Sequence, residues 1–194
     1  MPRQPAETES TAGDCPFPIE PNDNLGWIGR EPTADEQEVV DWLKSRRLPS
    51  RILHVGVGTA LLWREFGDCV VQGLTKDGGE SDNAQSLGLE AIVCNKYDLD
   101  SYRGRLRDPF DCIVDVNIRS YACCDRHFKE YMGAMLATLS PSGMLLTSRR
   151  GLDYLVPTSL SELRTLCPQW RVRTHGKVVV MRPGYMHRFR QFAA

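Results

Sequence analysis

Apolar positions along this chain change their spacing from segment to segment, and the changes mark out strands alternating with helices. Short, nearly continuous apolar runs at 52–55, 69–74, 91–94, 110–116 and 144–147 predict five strands. Helical patterns fall between them near 61–66, 81–87 and 99–106, with a longer one at 121–139. Apolar strands joined by helices predict a parallel sheet covered on both faces. Upstream, Thr33-Ala34-Asp35-Glu36 has the Thr/Glu spacing of a capping box. It opens a helix over 33–46 that turns Val39, Val40, Trp42 and Leu43 inward, and Pro49 separates that helix from the first strand. Pro141-Ser142-Gly143 marks the exit of the long helix into the fifth strand. A helix at 160–167 precedes two strands, 170–174 and 177–182, divided only by His175-Gly176. Strands that close in sequence predict an antiparallel hairpin.

Composition narrows the partners. The 194 residues, 41% hydrophobic and 25% charged, suit one globular domain. Residues 1–21 are rich in Pro, Glu, Ser and Thr and predict a disordered tail. Residues 22–50 read as a lid loop and helix, 51–182 as the ligand-binding domain, and 183–194 as a C-terminal tail. A net charge of −1 provides no field to attract nucleic acid, and no apolar run is long enough for a bilayer, so neither partner is expected. Seven cysteines without Cys-x-x-Cys spacing, behind an N-terminus that lacks a signal-peptide core, point to reduced thiols and a cytoplasmic location. Adjacent Cys123 and Cys124 read as small core hydrophobes. The four histidines are dispersed without helical spacing, so no metal site is expected.

The first strand breaks into Gly56-Val57-Gly58-Thr59 before a helical pattern. Two residues without Cβ let backbone approach a ligand closely, with helix N–H groups beyond. Leu61 occupies the place of the third glycine in the dinucleotide fingerprint, which argues against NAD.

Five βα units, the Gly-x-Gly turn and a terminal hairpin together resemble the class I S-adenosylmethionine-dependent methyltransferase fold. Phe110-Asp111-Cys112-Ile113-Val114-Asp115 and Leu139-Ser140-Pro141-Ser142-Gly143 look like that family's fourth-to-fifth strand segment. The resemblance implies an α/β, Rossmann-like fold: a seven-stranded, mostly parallel sheet with one antiparallel strand and helices on both faces. It also implies S-adenosylmethionine lying across the carboxyl ends of the first strands, with no metal needed. The implied cofactor contacts are Gly56, Gly58, Thr59, Thr75, Asn95, Lys96, Tyr97 and Tyr121, with Trp27 on the lid. Lys96, Arg30 and Arg149 are candidates for a substrate carboxylate. The family's two acids are missing: His54 stands two places before the first glycine, and Thr75 ends the second strand. Asp77 or Glu80 then either takes over the ribose or merely favours the start of the next helix.

Asn24-Leu25-Gly26-Trp27, Cys94-Asn95-Lys96-Tyr97 and Tyr121-Ala122-Cys123-Cys124 are similar to methyltransferase-like proteins grouped near nodulation proteins, and beyond them to azetidine-2-carboxylic acid synthases. That likeness implies a cyclase of specialised metabolism that uses S-adenosylmethionine as its whole substrate and releases methylthioadenosine. Asn117 and Tyr154 are the catalytic candidates for orienting and deprotonating its amine. The compact core leaves little space for a bulky acceptor, which favours cyclisation. Methyl transfer to a small-molecule acceptor and a catalytically inactive S-adenosylmethionine-binding protein are the alternatives. The oligomeric state stays open.

Overall fold

The computed structural model describes residues 28–107, 109–153 and 157–184. The expectations for Trp27, Tyr154, the tail at 1–21 and residues 185–194 of the tail at 183–194 lie outside them, while Pro183, placed in that tail, ends the last strand. Seven strands, β1 (Ile52–Val55), β2 (Val70–Thr75), β3 (Ala91–Val93), β4 (Phe110–Asp115), β5 (Leu139–Ser148), β6 (Trp170–His175) and β7 (Val178–Pro183), form one sheet. Their order is β3-β2-β1-β4-β5-β7-β6. Only β7 runs antiparallel to its neighbours, β5 and β6, as the hairpin pattern predicts.

The two-residue period of each strand divides the core into two. Ile52, Cys112, Val114, Met144, Leu146, Val178 and Val180 pack under α1 (Ala34–Lys44), α2 (Leu61–Phe66) and α3 (Gly78–Ser86). The alternate residues Leu53, Val55, Ile113, Leu145, Val179 and Met181 face the opposite layer. There α4 (Leu99–Tyr102), α5 (Asp125–Thr138) and α7 (Leu160–Leu166) bring Tyr102, Phe128, Tyr131, Met132, Met135 and Leu163. α1 and α5 bury apolar stripes that their isolated sequences could not hold in water, whereas α3 buries Glu80, Ser81 and Ala84.

The capping box forms in full: Glu36 N–H donates to Thr33 Oγ1 at 3.3 Å and Thr33 N–H to Glu36 Oε2 at 2.7 Å. Ser148 Oγ donates to Asp35 Oδ2 at 3.3 Å, which ties the start of α1 to the carboxyl end of β5. Four boundaries differ from expectation. α5 begins at Asp125 rather than 121, because 117–124 fold into successive turns, with Tyr121 at φ +62° and Cys124 as an extended N-cap. α3 begins earlier, at Gly78, because Asp77 caps it through a 3.0 Å bond from Glu80 N–H. The 99–106 helix is one α turn followed by a 3-10 turn at Arg103–Arg105. β5 starts at Leu139, and Pro141-Ser142-Gly143 form a bulge inside it: Phe110 pairs with Leu139 but Cys112 with Met144.

After β5 the chain turns into a five-residue helix, α6 (Arg149–Asp153), that no apolar pattern announces. It packs so tightly on the end of β4 that a Cβ on Gly151 would lie 1.6 Å from the Val116 carbonyl oxygen. That carbonyl is fixed, since it accepts from Thr147 Oγ1 at 2.9 Å. Gly151→Ala is therefore expected to lower the free energy of unfolding by about 3 kcal/mol or more, at the upper end of overpacking costs, in urea denaturation. A midpoint equal to wild type would refute the close approach.

Candidate active site

A crevice of about 960 Å³, counting its open mouth, runs along the carboxyl ends of β1, β2, β3 and β4. Its position is where open α/β sheets bind ligands, beside the point at which strand order reverses. β1 contributes Val55 and then Gly56 and Gly58, at φ +72° and +51°, a backbone region costly for any residue with a Cβ. Gly56 N–H donates to Leu74 O at 2.7 Å, holding the turn against β2.

A buried cluster of acids sits at the end of β2. Glu80, reaching back from α3, accepts at Oε2 from Gly58 N–H (2.9 Å) and from Thr75 Oγ1 (2.6 Å). Thr75 thus donates its single hydroxyl proton to Glu80 and accepts from Asp77 N–H at 3.1 Å. It has no proton left to donate to a ribose and one lone pair left to accept from it. Asp77 uses Oδ1 to cap α3, while its buried Oδ2 has no hydrogen-bond partner among the described residues. Asp77 is 3% exposed and lines the crevice. An ionised oxygen so placed requires a donor, because a buried, unsatisfied charged acceptor is costly. The Asp-Gly-Gly-Glu sequence at 77–80 was the available signal, and it served equally well as a helix start.

Lys76, which sequence reading passed over, places its ammonium 3.7 Å from the centroid of the Tyr121 ring, and both line the crevice. Partial burial pushes Lys76 below the usual lysine range, while Asp77 and Glu80 pull it back up. The face of Tyr121, one of the implied cofactor contacts, is thus shared with a fixed cation. On the α1 side, Arg30 forms a two-pronged pair with Glu36 at 2.8 and 2.7 Å. Burial alone would raise the Glu36 pKa; hydrogen bonds from Arg30 and Thr33 outweigh it and hold the carboxyl below its ordinary value.

Lys96 is not poised for a substrate carboxylate. Its Nζ donates to Asp115 Oδ2 (2.7 Å), Asn117 O (2.9 Å) and Ile118 O (2.9 Å), which uses its three protons. Tyr131 donates to the same Asp115 oxygen at 2.8 Å. Tyr97 is core: its hydroxyl meets Ile118 O and Ser120 O at 3.2 and 3.0 Å, and its ring packs edge-on against Tyr131. This network anchors the loop after β4 beneath the crevice.

Of the sequence candidates, Gly56, Gly58, Thr75, Asn95, Lys96, Asn117 and Tyr121 converge on the crevice. Asn95 Oδ1 accepts from Tyr97 N–H at 3.0 Å and shapes the turn after β3. Thr59 is buried beside the glycine turn without lining the crevice, and Tyr97 lies below it. Arg149 is exposed and away from it. Arg119, in the loop after β4, turns to the α5–α7 layer, where it pairs with Asp125 and reaches Thr158 and Glu162. Cys123, Cys124 and His127, where no metal site is expected, bring their ligand atoms within 4.8 Å of one another. They are half-buried rather than core, because Cys124 ends the loop in extended backbone before α5 begins.

His54 occupies the place of the missing first acid but points away, under α1 and α2, into a small cavity shared with Glu36, Val57 and Val114. Burial pushes its pKa down to about 4, with Glu36 opposing, and its Nδ1 has no partner among the described residues. A folded pKa below the unfolded value of about 6.5 makes its contribution complete above pH 6.5 and lost as pH falls toward 4. The stability of wild type relative to His54→Leu should fall by about 3 kcal/mol between pH 7 and pH 4 in urea denaturation. A difference independent of pH would show that His54 is not buried neutral.

No protein-family model matches the chain, and no curated protein matches it in sequence. Solved structures do share its fold. The N-methyltransferase NodS from Bradyrhizobium japonicum WM9 is similar with a TM-score of 0.57 at 13% identity, over 77% of this chain and 97% of NodS. Its complex with S-adenosyl-L-homocysteine gives 0.57 at 14% identity, over 89% of this chain and 93% of NodS. MycE, a methyltransferase from the mycinamycin biosynthetic pathway in complex with Mg, SAH and mycinamycin VI, gives 0.53 at 18% identity over 77% of this chain. This chain spans 49% of MycE, about half that enzyme's length. The sheet order, the single reversed strand and the helices on both faces are those of the class I methyltransferase fold.

Proposed function

We propose that this chain is an S-adenosylmethionine-dependent methyltransferase acting on a small-molecule amine or hydroxyl. The observation that carries the reading is the buried Oδ2 of Asp77 in the crevice at the end of β2, which has no partner among the described residues. A ribose hydroxyl is a donor that would satisfy it, and the bare backbone at Gly56 and Gly58 leaves space for the attached adenosyl group. Glu80 acts one step back, holding Gly58 and Thr75 in place. Lys76 and Tyr121 border the same crevice, and Asn95 and Asn117 offer polar edges from the ends of β3 and β4.

When bound, S-adenosylmethionine supplies a methyl group already activated by its sulfonium, so the protein's task is placement rather than strong acid or base chemistry. The crevice carries four carboxylates, Glu36, Asp77, Glu80 and Asp115, against three cations, Arg30, Lys76 and Lys96. Arg30 is paired with Glu36 and Lys96 with Asp115, which leaves a surplus of negative charge near Asp77 and Glu80. That charge favours a cationic ligand.

Two observations weigh against the other readings. Cyclisation rested on a likeness to azetidine-2-carboxylic acid synthases and on the small size of the core, yet NodS, described as an N-methyltransferase, is matched over 97% of its length. Compactness therefore does not argue against an acceptor. The inactive reading rested on the acids absent at positions 54 and 75, and Asp77 and Glu80 supply carboxylates from just beyond.

Incubation with S-adenosylmethionine should yield adenosylhomocysteine only after an acceptor is added, read by mass spectrometry. Methylthioadenosine with a cyclic amino acid in the absence of acceptor would overturn methyl transfer in favour of cyclisation. No uptake of S-adenosylmethionine in calorimetry would overturn both. Asp77→Asn keeps an equally good cap for α3. It should nevertheless weaken S-adenosylmethionine binding about tenfold to hundredfold, the range for one charged hydrogen bond, with an unchanged circular dichroism spectrum. Unaltered affinity would remove Asp77 from the site.

A further inference from the structure

We propose that Cys123, Cys124 and His127 form a three-ligand site for a thiophilic divalent cation, with Zn²⁺ as the fitting ion. The turn that ends at Cys124 and the first turn of α5 bring the three together. Cys123 Sγ lies 3.0 Å and Cys124 Sγ 3.5 Å from the same atom, His127 Nδ1. All three ligand atoms lie within 4.8 Å of one another. For tetrahedral zinc, with Zn–S of about 2.3 Å and Zn–N of about 2.0–2.1 Å, sulfur and nitrogen ligands sit about 3.6 Å apart. Cys124 already has that spacing, Cys123 stands about 0.6 Å too close to the nitrogen, and the two sulfurs, within 4.8 Å of each other, would settle at about 3.8 Å, moves within reach of side-chain rotation.

The surroundings fit the same ion. If Nδ1 ligates, the proton of the neutral imidazole sits on Nε2; the exposed Arg126 guanidinium, now 3.3 Å from that nitrogen, would turn aside, and the Glu130 carboxylate, 4.0 Å away, would take its place. A carboxylate behind a ligating histidine fixes its tautomer and orients the ring. Cys124 is the N-cap of a 14-residue helix, whose positive end favours thiolates. All three residues are half-buried, so solvent can supply the fourth ligand that a tetrahedral ion requires. Two thiolates and an imidazole select zinc over magnesium or calcium, which prefer oxygen. On binding, the two thiols release their protons to solvent and the imidazole keeps its own.

The site is separate from the crevice, since none of its ligands lines it, but it shares a loop with the crevice wall. Ser120 and Tyr121 line the crevice two to three residues before Cys123. A bound ion would fasten that loop to the first turn of α5.

The experiment uses the full chain, purified under reducing conditions and freed of metal, with Co²⁺ as the optical probe. One equivalent should produce thiolate-to-cobalt charge-transfer absorption and an intense tetrahedral d–d band, both abolished by one equivalent of Zn²⁺. The Cys123→Ser/Cys124→Ser variant should lose the charge-transfer band, and His127→Ala should bind Zn²⁺ at least tenfold more weakly. Absence of the band in wild type, or its survival in the double variant, would overturn the proposal. A second measurement needs no variant: one equivalent of Zn²⁺ should slow alkylation of both Cys123 and Cys124 at least tenfold while leaving Cys69 unchanged, by peptide mass mapping. Unslowed alkylation, or protection of only one of the two, would equally refute this ligand set.

Discussion

The buried ammonium of Lys96 is the contact on which the crevice depends. A lysine taken from water must recover its hydration from protein groups, and here Asp115 and the carbonyls of Asn117 and Ile118 do so. Burial pushes its pKa down and Asp115 pulls it up. Those acceptors come from the end of β4 and the loop after it, while Lys96 follows β3. One cation therefore ties the third strand's exit to the fourth's, across β2 and β1 in the sheet order. Tyr131 and Tyr97 close the network from the helix layer, so the floor of the crevice is continuous with the core beneath α5.

The opposite wall follows a different logic. Members of this fold class are expected to carry an acid at the tip of β2, and here a threonine occupies it. The carboxylates come instead from the next helix, and the threonine hydroxyl serves them. Glu80 fastens the glycine turn and Asp77 caps α3, so both acids are fixed by backbone N–H groups before any ligand arrives. Preorganisation of this kind reduces the ordering cost of binding. The N-terminal side is similarly prepared, since the Arg30–Glu36 pair and the Ser148–Asp35 bond set α1 against the crevice edge.

The loop from Asn117 to Cys124 joins these parts. Lys96 holds its start, Arg119 binds the α5–α7 layer, Tyr121 meets Lys76 across the crevice, and the two cysteines meet His127. A helix continuing from residue 121, as the apolar pattern suggests, would have scattered these contacts around its circumference. Tyr121 in the left-handed region and Cys124 in extended backbone are what prevent it.

What the sequence determined by itself is the set of local patterns whose periods are short. Seven strands, the reversed hairpin, the capping box at Thr33–Glu36 and the glycine turn after β1 could all be read because each depends on residues within a few positions of one another. Only the tertiary structure decided which polar side chains serve the fold and which are left for a ligand. Lys96, Tyr97 and Thr75 have the composition of a binding site, yet their hydrogen bonds end on protein groups, mostly from other elements. Asp77 has the composition of a helix cap, yet keeps one oxygen without a partner among the described residues. Cys123, Cys124 and His127 are local in sequence, at i,i+3 and i,i+4 spacings; what the structure decided is that α5 starts at Asp125, which leaves both sulfurs beside the His127 ring. A hydrogen bond is settled by three-dimensional proximity and the desolvation cost of leaving a group unpaired, and neither is written in local order along the chain.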